Sequence, residues 1–133
     1  MKVGFDALIA HANAKIDTIQ ADDALPLQEA GTHVFVDLRD IRELEREGLI
    51  PGAIHCPRGM LEFWAHPESP YHKAVFAQPD KTYLLYCALG LRSALAAATL
   101  KDLGMDNVAH IGGGFEAWQA SGGPVEEKPS RKG

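Results

Sequence analysis

One cysteine stands where a thiolate could be held and used. Cys87 follows a short apolar segment, residues 83–86, and precedes an alanine-rich helical stretch, residues 94–103. The first N–H groups of a helix have no intrahelical partner, and the helix dipole adds partial positive charge at that end. An anionic sulfur there is stabilised, so the pattern predicts a nucleophilic cysteine. The loop that would cradle the sulfur consists of Ala88, Leu89, Gly90, Leu91, Arg92 and Ser93.

Two of these loop residues suit sulfur or oxyanion chemistry. Gly90 can adopt backbone angles that let the loop turn tightly, and Arg92 supplies a permanent cation with a planar fork. The loop could therefore hold either a charged sulfur or an anionic substrate. The alternative is that Cys87 packs as a small buried hydrophobe, the commonest role of a free cysteine, although packing alone does not require the glycine and arginine.

Composition limits the classes of function. The 133 residues fit one domain of common size. The net charge of −5 is spread along the chain without a basic stripe, so no nucleic-acid partner is expected. No apolar run approaches the length of a membrane span, and the N-terminus lacks the basic-then-apolar order of a secretory signal. We therefore expect a soluble, cytoplasmic protein with no membrane partner.

The second cysteine, Cys56, leaves two interpretations open. One cysteine pair in a chain of this size, without an export signal, is more typical of two reduced thiols than of a disulfide. Cys56 could be a resolving thiol that takes sulfur from Cys87, or a buried packing residue, which is the commoner case. The six histidines lack metal-ligand spacing with a cysteine or with each other, so no metal site and no cofactor are predicted.

Strand and helix patterns alternate along the chain. The predicted strands are residues 17–19, 34–38, 53–55, 83–86 and 108–111. Predicted helices run from Asp40, where Glu43 completes a capping box, to Gly48, and over 94–103 and 115–120. This alternation favours an α/β domain with a mostly parallel sheet. Ligands of such domains bind at the carboxyl ends of strands, where Cys87 lies.

Three further segments carry separate expectations. Residues 1–16 have apolar side chains at roughly helical spacing and predict an N-terminal helical extension that packs on its own sheet or on another subunit. Residues 60–80 form a long connection that either walls the pocket over Cys87 or covers a sheet edge. Residues 126–133 are expected to be a disordered tail. The candidate pocket residues in the long connection are Phe63, Trp64, Tyr71 and His72.

Five motifs follow one another along the chain. They are Asp37-Leu38-Arg39 with Glu43; Gly48-Leu49-Ile50-Pro51-Gly52-Ala53; Cys87-x-x-Gly90-x-Arg92-Ser93; residues 112–118, from the triple glycine to Trp118; and Gly122-Gly123-Pro124. In this order they resemble the rhodanese-like, single-domain sulfurtransferase family over residues 17–125. The resemblance implies a five-stranded, mainly parallel sheet flanked by helices, with the cysteine loop as the active site.

The resemblance also implies a ping-pong transfer of sulfane sulfur, as in thiosulfate sulfurtransferases. Cys87 would attack the outer sulfur of thiosulfate or a persulfide, and would pass it to cyanide, a thiol or a protein sulfur-relay partner. Arg92 would orient the loop and the anionic donor, and Ser93 would supply a hydroxyl at the helix start. The residues that would form a supporting shell, or a purely structural polar cluster, are Asp37, Arg39 and Glu43.

Two other functions stay open. Related phosphatases of this fold have a loop one residue longer and a histidine before the nucleophile, whereas four residues separate Cys87 from Arg92 here and Tyr86 precedes the cysteine. A phosphatase or arsenate reductase is therefore the second hypothesis. The third is a sulfide-carrying or partner-binding domain with little turnover. Because the loop is apolar apart from Arg92, a protein or low-molecular persulfide is a candidate donor in place of thiosulfate.

Overall fold

The computed structural model describes residues 1–129, and a single five-stranded sheet forms its centre. The strands are β1 (Asp17–Gln20), β2 (His33–Asp37), β3 (Ile54–His55), β4 (Thr82–Tyr86) and β5 (Val108–Gly112). Their order across the sheet is β1-β5-β4-β2-β3, and every neighbouring pair is parallel. The predicted α/β class, with a five-stranded and mainly parallel sheet, is confirmed.

Helices cover both faces of this sheet. They are α1 (Phe5–Lys15), α2 (Ala21–Ala24), α3 (Ile41–Glu47), α4 (Leu61–Ala65), α5 (Leu91–Asp102) and α6 (Gly114–Ala120), with short 3-10 turns at Leu25–Leu27, Arg58–Met60 and Ala74–Phe76. Alternate residues of β4 enter two separate cores, Tyr83 and Leu85 on one face and Leu84 and Tyr86 on the other. A strand buried on both faces must be apolar throughout, which explains the continuous apolar run before Cys87.

The start of α3 is fixed by the predicted capping box. The Asp40 side chain accepts a hydrogen bond from the Arg42 N–H, and the Glu43 carboxylate accepts one from the Asp40 N–H, each at 2.9 Å. Gly48 ends the helix with a backbone φ of 83°, in the left-handed region that favours glycine. The helix predicted from Asp40 to Gly48 is therefore confirmed. Its first turn points Glu43 toward the cysteine loop.

The N-terminal helix packs on the domain's own α5. Ala12 is buried against Ala94 and Ala98, whose small side chains let the two helices approach closely. At the far end of the pair, Lys15 Nζ lies 3.2 Å from a carboxylate oxygen of Asp102. The two helices thus run side by side in the same direction, which brings Phe5 to the start of α5. None of the helices within residues 1–129 is long and apolar enough to cross a bilayer.

Glu126, the first residue of the predicted disordered tail, pairs with the rest of the chain. Glu126 exchanges two backbone hydrogen bonds with Leu49, of 2.8 and 2.9 Å, so the ordered chain continues past the predicted boundary at residue 125. Gly48 permits this pairing, because a Cβ there would meet the Val125 side chain. Residues 130–133, the rest of the predicted tail beyond Pro129, lie outside the described residues.

Candidate active site at the cysteine loop

The Cys87 sulfur sits in a cradle of backbone N–H groups. Cys87 directly follows β4, and α5 begins four residues later at Leu91. The Sγ atom accepts hydrogen bonds from the N–H of Gly90 at 3.2 Å and from the N–H of Ser93 at 3.3 Å. Both donors belong to the helix start, whose N–H groups have no intrahelical partner. The loop therefore presents two fixed dipoles to an anionic sulfur.

Gly90 makes this cradle possible. Its backbone φ is 93°, a value that residues with a side chain rarely adopt. Gly90 is the N-cap of α5 in this left-handed conformation. A Cβ at Gly90 would lie 3.0 Å from the backbone nitrogen of Gly113. The loop consequently turns tightly enough to aim its N–H groups back at Cys87.

The start of α6 also binds the cysteine loop through its backbone. The N–H of Phe115 donates to the carbonyl oxygen of Cys87 at 2.8 Å, and the N–H of Glu116 donates to that of Ala88 at 3.1 Å. Gly114 allows this contact, since its φ is 60° and a Cβ there would collide with the Cys87 carbonyl oxygen. The first turn of α6 thus fixes the backbone of the nucleophile.

A buried hydrogen-bonded chain leads away from the sulfur. The Ser93 hydroxyl lies 3.5 Å from Cys87 Sγ and 2.9 Å from Nδ1 of His110, whose Nε2 is 3.0 Å from the Thr18 hydroxyl. Burial lowers the pKa of His110 to about 4, so its ring is neutral near pH 7. A thiol that donates to Ser93 sets one direction of hydrogen bonding, with the hydroxyl donating to Nδ1 and Nε2–H donating to Thr18.

The guanidinium of Arg92 is already paired. Its Nη1 and Nη2 donate to the two carboxylate oxygens of Glu43, each at 2.9 Å. The hydrogen bond from Arg92 lowers the pKa of Glu43, and that same bond raises the pKa of Arg92. The pair links the cysteine loop to the capping box of α3. Arg92 therefore ties the cysteine loop to α3 with one N–H of each terminal nitrogen, and its side chain stays 42% exposed.

Asp37 and Arg39 form a fully buried ion pair beside the loop. Arg39 Nη2 lies 2.7 Å from an Asp37 carboxylate oxygen and also donates to the Gly48 carbonyl oxygen at 2.7 Å. The guanidinium lies 4.2 Å from the centre of the Phe115 ring. Arg39 thus contacts the side chain of Phe115, the residue whose backbone N–H donates to the Cys87 carbonyl oxygen. Of the three predicted supporting residues, Glu43 thus contacts the loop directly, whereas Arg39 contacts α6 and Asp37 is paired with Arg39.

Cys56 is not brought together with Cys87. It is fully buried in the core with Val36 and Leu61, and burial raises its pKa to about 12. Strand β2 lies between the two cysteines, because Cys56 follows β3 and Cys87 follows β4. Two strand spacings amount to about 10 Å, beyond the limit of about 7 Å between Cα atoms for a disulfide.

A pocket of about 280 Å³ opens over the cysteine. Its lining consists of Phe5, Cys87, Ala88, Leu89, Leu91, Arg92 and Leu95. The long connection contributes none of these residues, since its segment 74–76 packs Phe76 on Tyr83 near the amino end of β4, with ring centres 5.4 Å apart. The hypothesis that residues 60–80 form a wall of this pocket is therefore wrong. The segment covers one face of the sheet instead.

A larger cavity lies elsewhere. It measures about 580 Å³ and is formed by the end of α5 and by segments 65–68 and 76–79, away from Cys87. The described residues lining it include neither cysteine nor any other predicted site residue. Residues 1–129 also contain no group of three or more His, Cys, Asp or Glu side chains placed to hold a metal ion. We therefore place the candidate site at Cys87, where backbone N–H groups donate to the sulfur, and not at this cavity.

Sequence reasoning missed two residues of this site, His110 and Phe5. His110 is the one polar side chain in the apolar run 108–111, and this interruption of a buried strand was the available signal. Phe5 carried no such signal, because its place at the pocket depends on how α1 docks on α5.

Comparison with known proteins agrees with this architecture. The family model described as the rhodanese-like domain matches residues 20–121. The chain belongs to the rhodanese-like family. A solved structure from Rhodopseudomonas palustris, described as a protein of unknown function, RPA3614, and possible tyrosine phosphatase, is 52% identical with a TM-score of 0.90. That likeness covers 95% of this rhodanese-like chain and 96% of the other.

Curated relatives of this rhodanese-like chain carry two kinds of name. The mitochondrial thiosulfate sulfurtransferase RDL2 of Saccharomyces cerevisiae is 30% identical over 74% of this chain and 67% of its own length. The dual specificity phosphatase Cdc25 of Arabidopsis thaliana is 28% identical over 83% of this chain and 77% of its own. Other curated relatives are longer, with matched segments spanning 10% to 57% of their lengths.

Proposed function

We propose that this rhodanese-like chain is a sulfurtransferase that carries sulfane sulfur on Cys87. The observation that carries the proposal is the cradle, in which the N–H groups of Gly90 and Ser93 donate to Sγ at 3.2 and 3.3 Å. Donors fixed toward sulfur stabilise a thiolate before the reaction and a charged persulfide after it. No rearrangement of the backbone is needed to provide them.

The first half-reaction loads the enzyme. The Cys87 thiolate attacks the outer sulfur of a donor R–S–S⁻, a new S–S bond forms, and the donor's own S–S bond breaks. The electron pair of that bond leaves with R–S⁻, so Cys87 becomes Cys–S–S⁻ and no external oxidant or reductant is consumed. The pocket of about 280 Å³ above Cys87 provides room for the added sulfur and for the leaving group.

The second half-reaction unloads it. A thiolate or cyanide attacks the outer sulfur of the Cys87 persulfide, and the electron pair of the S–S bond returns to Cys87 as the thiolate. Cyanide would leave as thiocyanate, and a thiol on a small molecule or relay protein would leave as a persulfide. Because donor and acceptor use the same pocket in turn, the kinetics should be ping-pong.

A phosphatase is supported less well by the site. The relatives include a protein named as a phosphatase, but here only four residues separate Cys87 from Arg92. The N–H groups that donate to Sγ leave fewer donors for a tetrahedral oxyanion, and Arg92 is paired with Glu43. Both features suit a small sulfur adduct better than a phosphate group.

Intact-protein mass spectrometry tests the proposal. The wild type, Cys87→Ser and Cys56→Ser would each be incubated briefly with thiosulfate or a polysulfide and then with cyanide. We expect a cyanide-reversible gain of one sulfur mass in the wild type and in Cys56→Ser, and none in Cys87→Ser. Absence of sulfur from Cys87 with both donors would overturn the proposed function. Hydrolysis of an aryl phosphate, measured in parallel, would then favour the phosphatase.

A further inference from the structure

The pocket over Cys87 is apolar on nearly every side. The side chains around the sulfur come from Phe5, Ala88, Leu89, Leu91 and Leu95, and within residues 1–129 Arg92 is the only charged residue of the lining. The charge of Arg92 is balanced by Glu43 through two hydrogen bonds of 2.9 Å. A small hydrophilic anion would find little to replace its hydration in such a pocket, whereas an apolar group would bury its surface there.

The apolar wall is built partly by the N-terminal helix. Phe5 begins α1, and packing of Ala12 on α5 together with the Lys15–Asp102 ion pair sets the position of this helix. Phe5, Leu89 and Leu91 remain 60%, 57% and 42% exposed, so the protein keeps large apolar side chains in water beside its nucleophile. An exposed apolar cluster around a reactive group is typical of a ligand-binding surface.

We infer that the sulfur donor carries an apolar organic group, and that Phe5 selects it. The inference rests on the proposed function and names the donor class for the same site, an organic persulfide or thiosulfonate R–S–S⁻ or R–SO₂–S⁻. Cys87 takes the outer sulfur, the S–S bond breaks, and its electron pair leaves with the R–S⁻ or R–SO₂⁻ group. The apolar R group lies against Phe5 and Leu95 during this step.

The pocket dimensions favour a small organic molecule. Its volume of about 280 Å³ is close to the lower end of small-molecule sites, about 300 Å³. A group the size of one aromatic ring therefore suits it. A persulfide on a partner protein would rest on the outer rim, so its transfer would depend less on Phe5.

Two donors with the same reacting group isolate the effect of R. Methanethiosulfonate and benzenethiosulfonate both deliver a terminal sulfur and release a sulfinate, and they differ in the apolar group. The measurement is kcat/KM for each donor with cyanide as acceptor, in the wild type, Phe5→Ala and Leu8→Ala. Leu8 is the matched control, because it is an exposed apolar residue of the same helix that does not line the pocket. Circular dichroism checks that each variant is folded.

We expect Phe5→Ala to lower the ratio of benzene to methane donor kcat/KM about tenfold, the usual discrimination from apolar contacts in a pocket. Leu8→Ala should leave that ratio unchanged. An unchanged ratio in Phe5→Ala, with sulfur still transferred to Cys87, would refute the donor class and favour a protein persulfide at the rim. Absence of sulfur on Cys87 in the wild type with both donors would instead refute the proposed function itself.

Discussion

The guanidinium of Arg92 and the carboxylate of Glu43 face each other through two hydrogen bonds of 2.9 Å. This bidentate pair joins the first turn of α5 to the first turn of α3, so the cysteine loop is tied to the capping box. It also brings the local charge beside Cys87 close to neutral. An anionic donor consequently gains less attraction than it would from a free arginine.

Glu43→Gln should shift the donor preference toward small anions. The amide removes the negative charge that balances Arg92, so the guanidinium regains attraction for thiosulfate. We expect the KM for thiosulfate to fall about threefold, in line with the contribution of under about 1 kcal/mol from a partly exposed ion pair. Steady-state thiocyanate formation measures it. Glu45→Gln, which makes the same charge change on α3, should leave this KM unchanged, and an equal fall there would rule out the pairing as the cause.

His110 should make the fold sensitive to acid. Burial lowers its pKa from the ordinary 6.5 to about 4, so between these values the unfolded chain binds a proton that the folded chain does not. The free energy of unfolding therefore keeps the full contribution of the neutral ring above pH 6.5. It decreases as the pH falls, by about 3 kcal/mol at pH 4.

Urea unfolding of the wild type and His110→Gln between pH 8 and pH 4 measures this dependence. The glutamine cannot titrate, so the wild type should lose about 3 kcal/mol more than the variant over the range. Parallel pH profiles for the two proteins would show that His110 is charged in the native fold, and would contradict the neutral ring between Ser93 and Thr18.

The cradle itself could be predicted because its parts are contiguous in sequence. A buried strand, Cys87, Gly90 and the helix start all lie within one short run, so local rules for strands, turns and helix ends were sufficient. Strands β2, β4 and β5 followed for the same reason, since each is a mostly buried, mainly apolar run, whereas the edge strands β1 and β3 carry a weaker local pattern. Glu43 was also found, as part of a motif near Arg39.

Contacts between distant segments could not be predicted in this way. Phe5 reaches Cys87 only because Ala12 docks α1 on α5, and that docking depends on tertiary packing. His110 reaches Ser93 because β5 pairs with β4, a register that the local pattern does not specify. The same holds for the Arg92 fork, whose occupation by Glu43 depends on where α3 lies.

Cys56 should be unreactive in the native protein. It is fully buried, and a pKa raised to about 12 leaves almost no thiolate near pH 7. We expect N-ethylmaleimide to add once, at Cys87, with Cys56 reacting at least about a hundredfold more slowly until urea unfolds the chain. Mass spectrometry of the labelled wild type and Cys87→Ser gives the two rates. Rapid labelling of native Cys87→Ser would restore a resolving role for Cys56.

Gly114→Ala should loosen the cysteine loop more than an ordinary glycine substitution does. Gly114 and Gly122 both have positive φ, 60° and 82°, so alanine strains either position by about 1–2 kcal/mol. A Cβ at Gly122 meets open space, whereas one at Gly114 collides with the Cys87 carbonyl oxygen. We therefore expect Gly114→Ala to lose more stability in urea and to slow sulfur loading of Cys87, while Gly122→Ala loads normally. Equal stability losses with normal loading in both would show that α6 does not position the nucleophile.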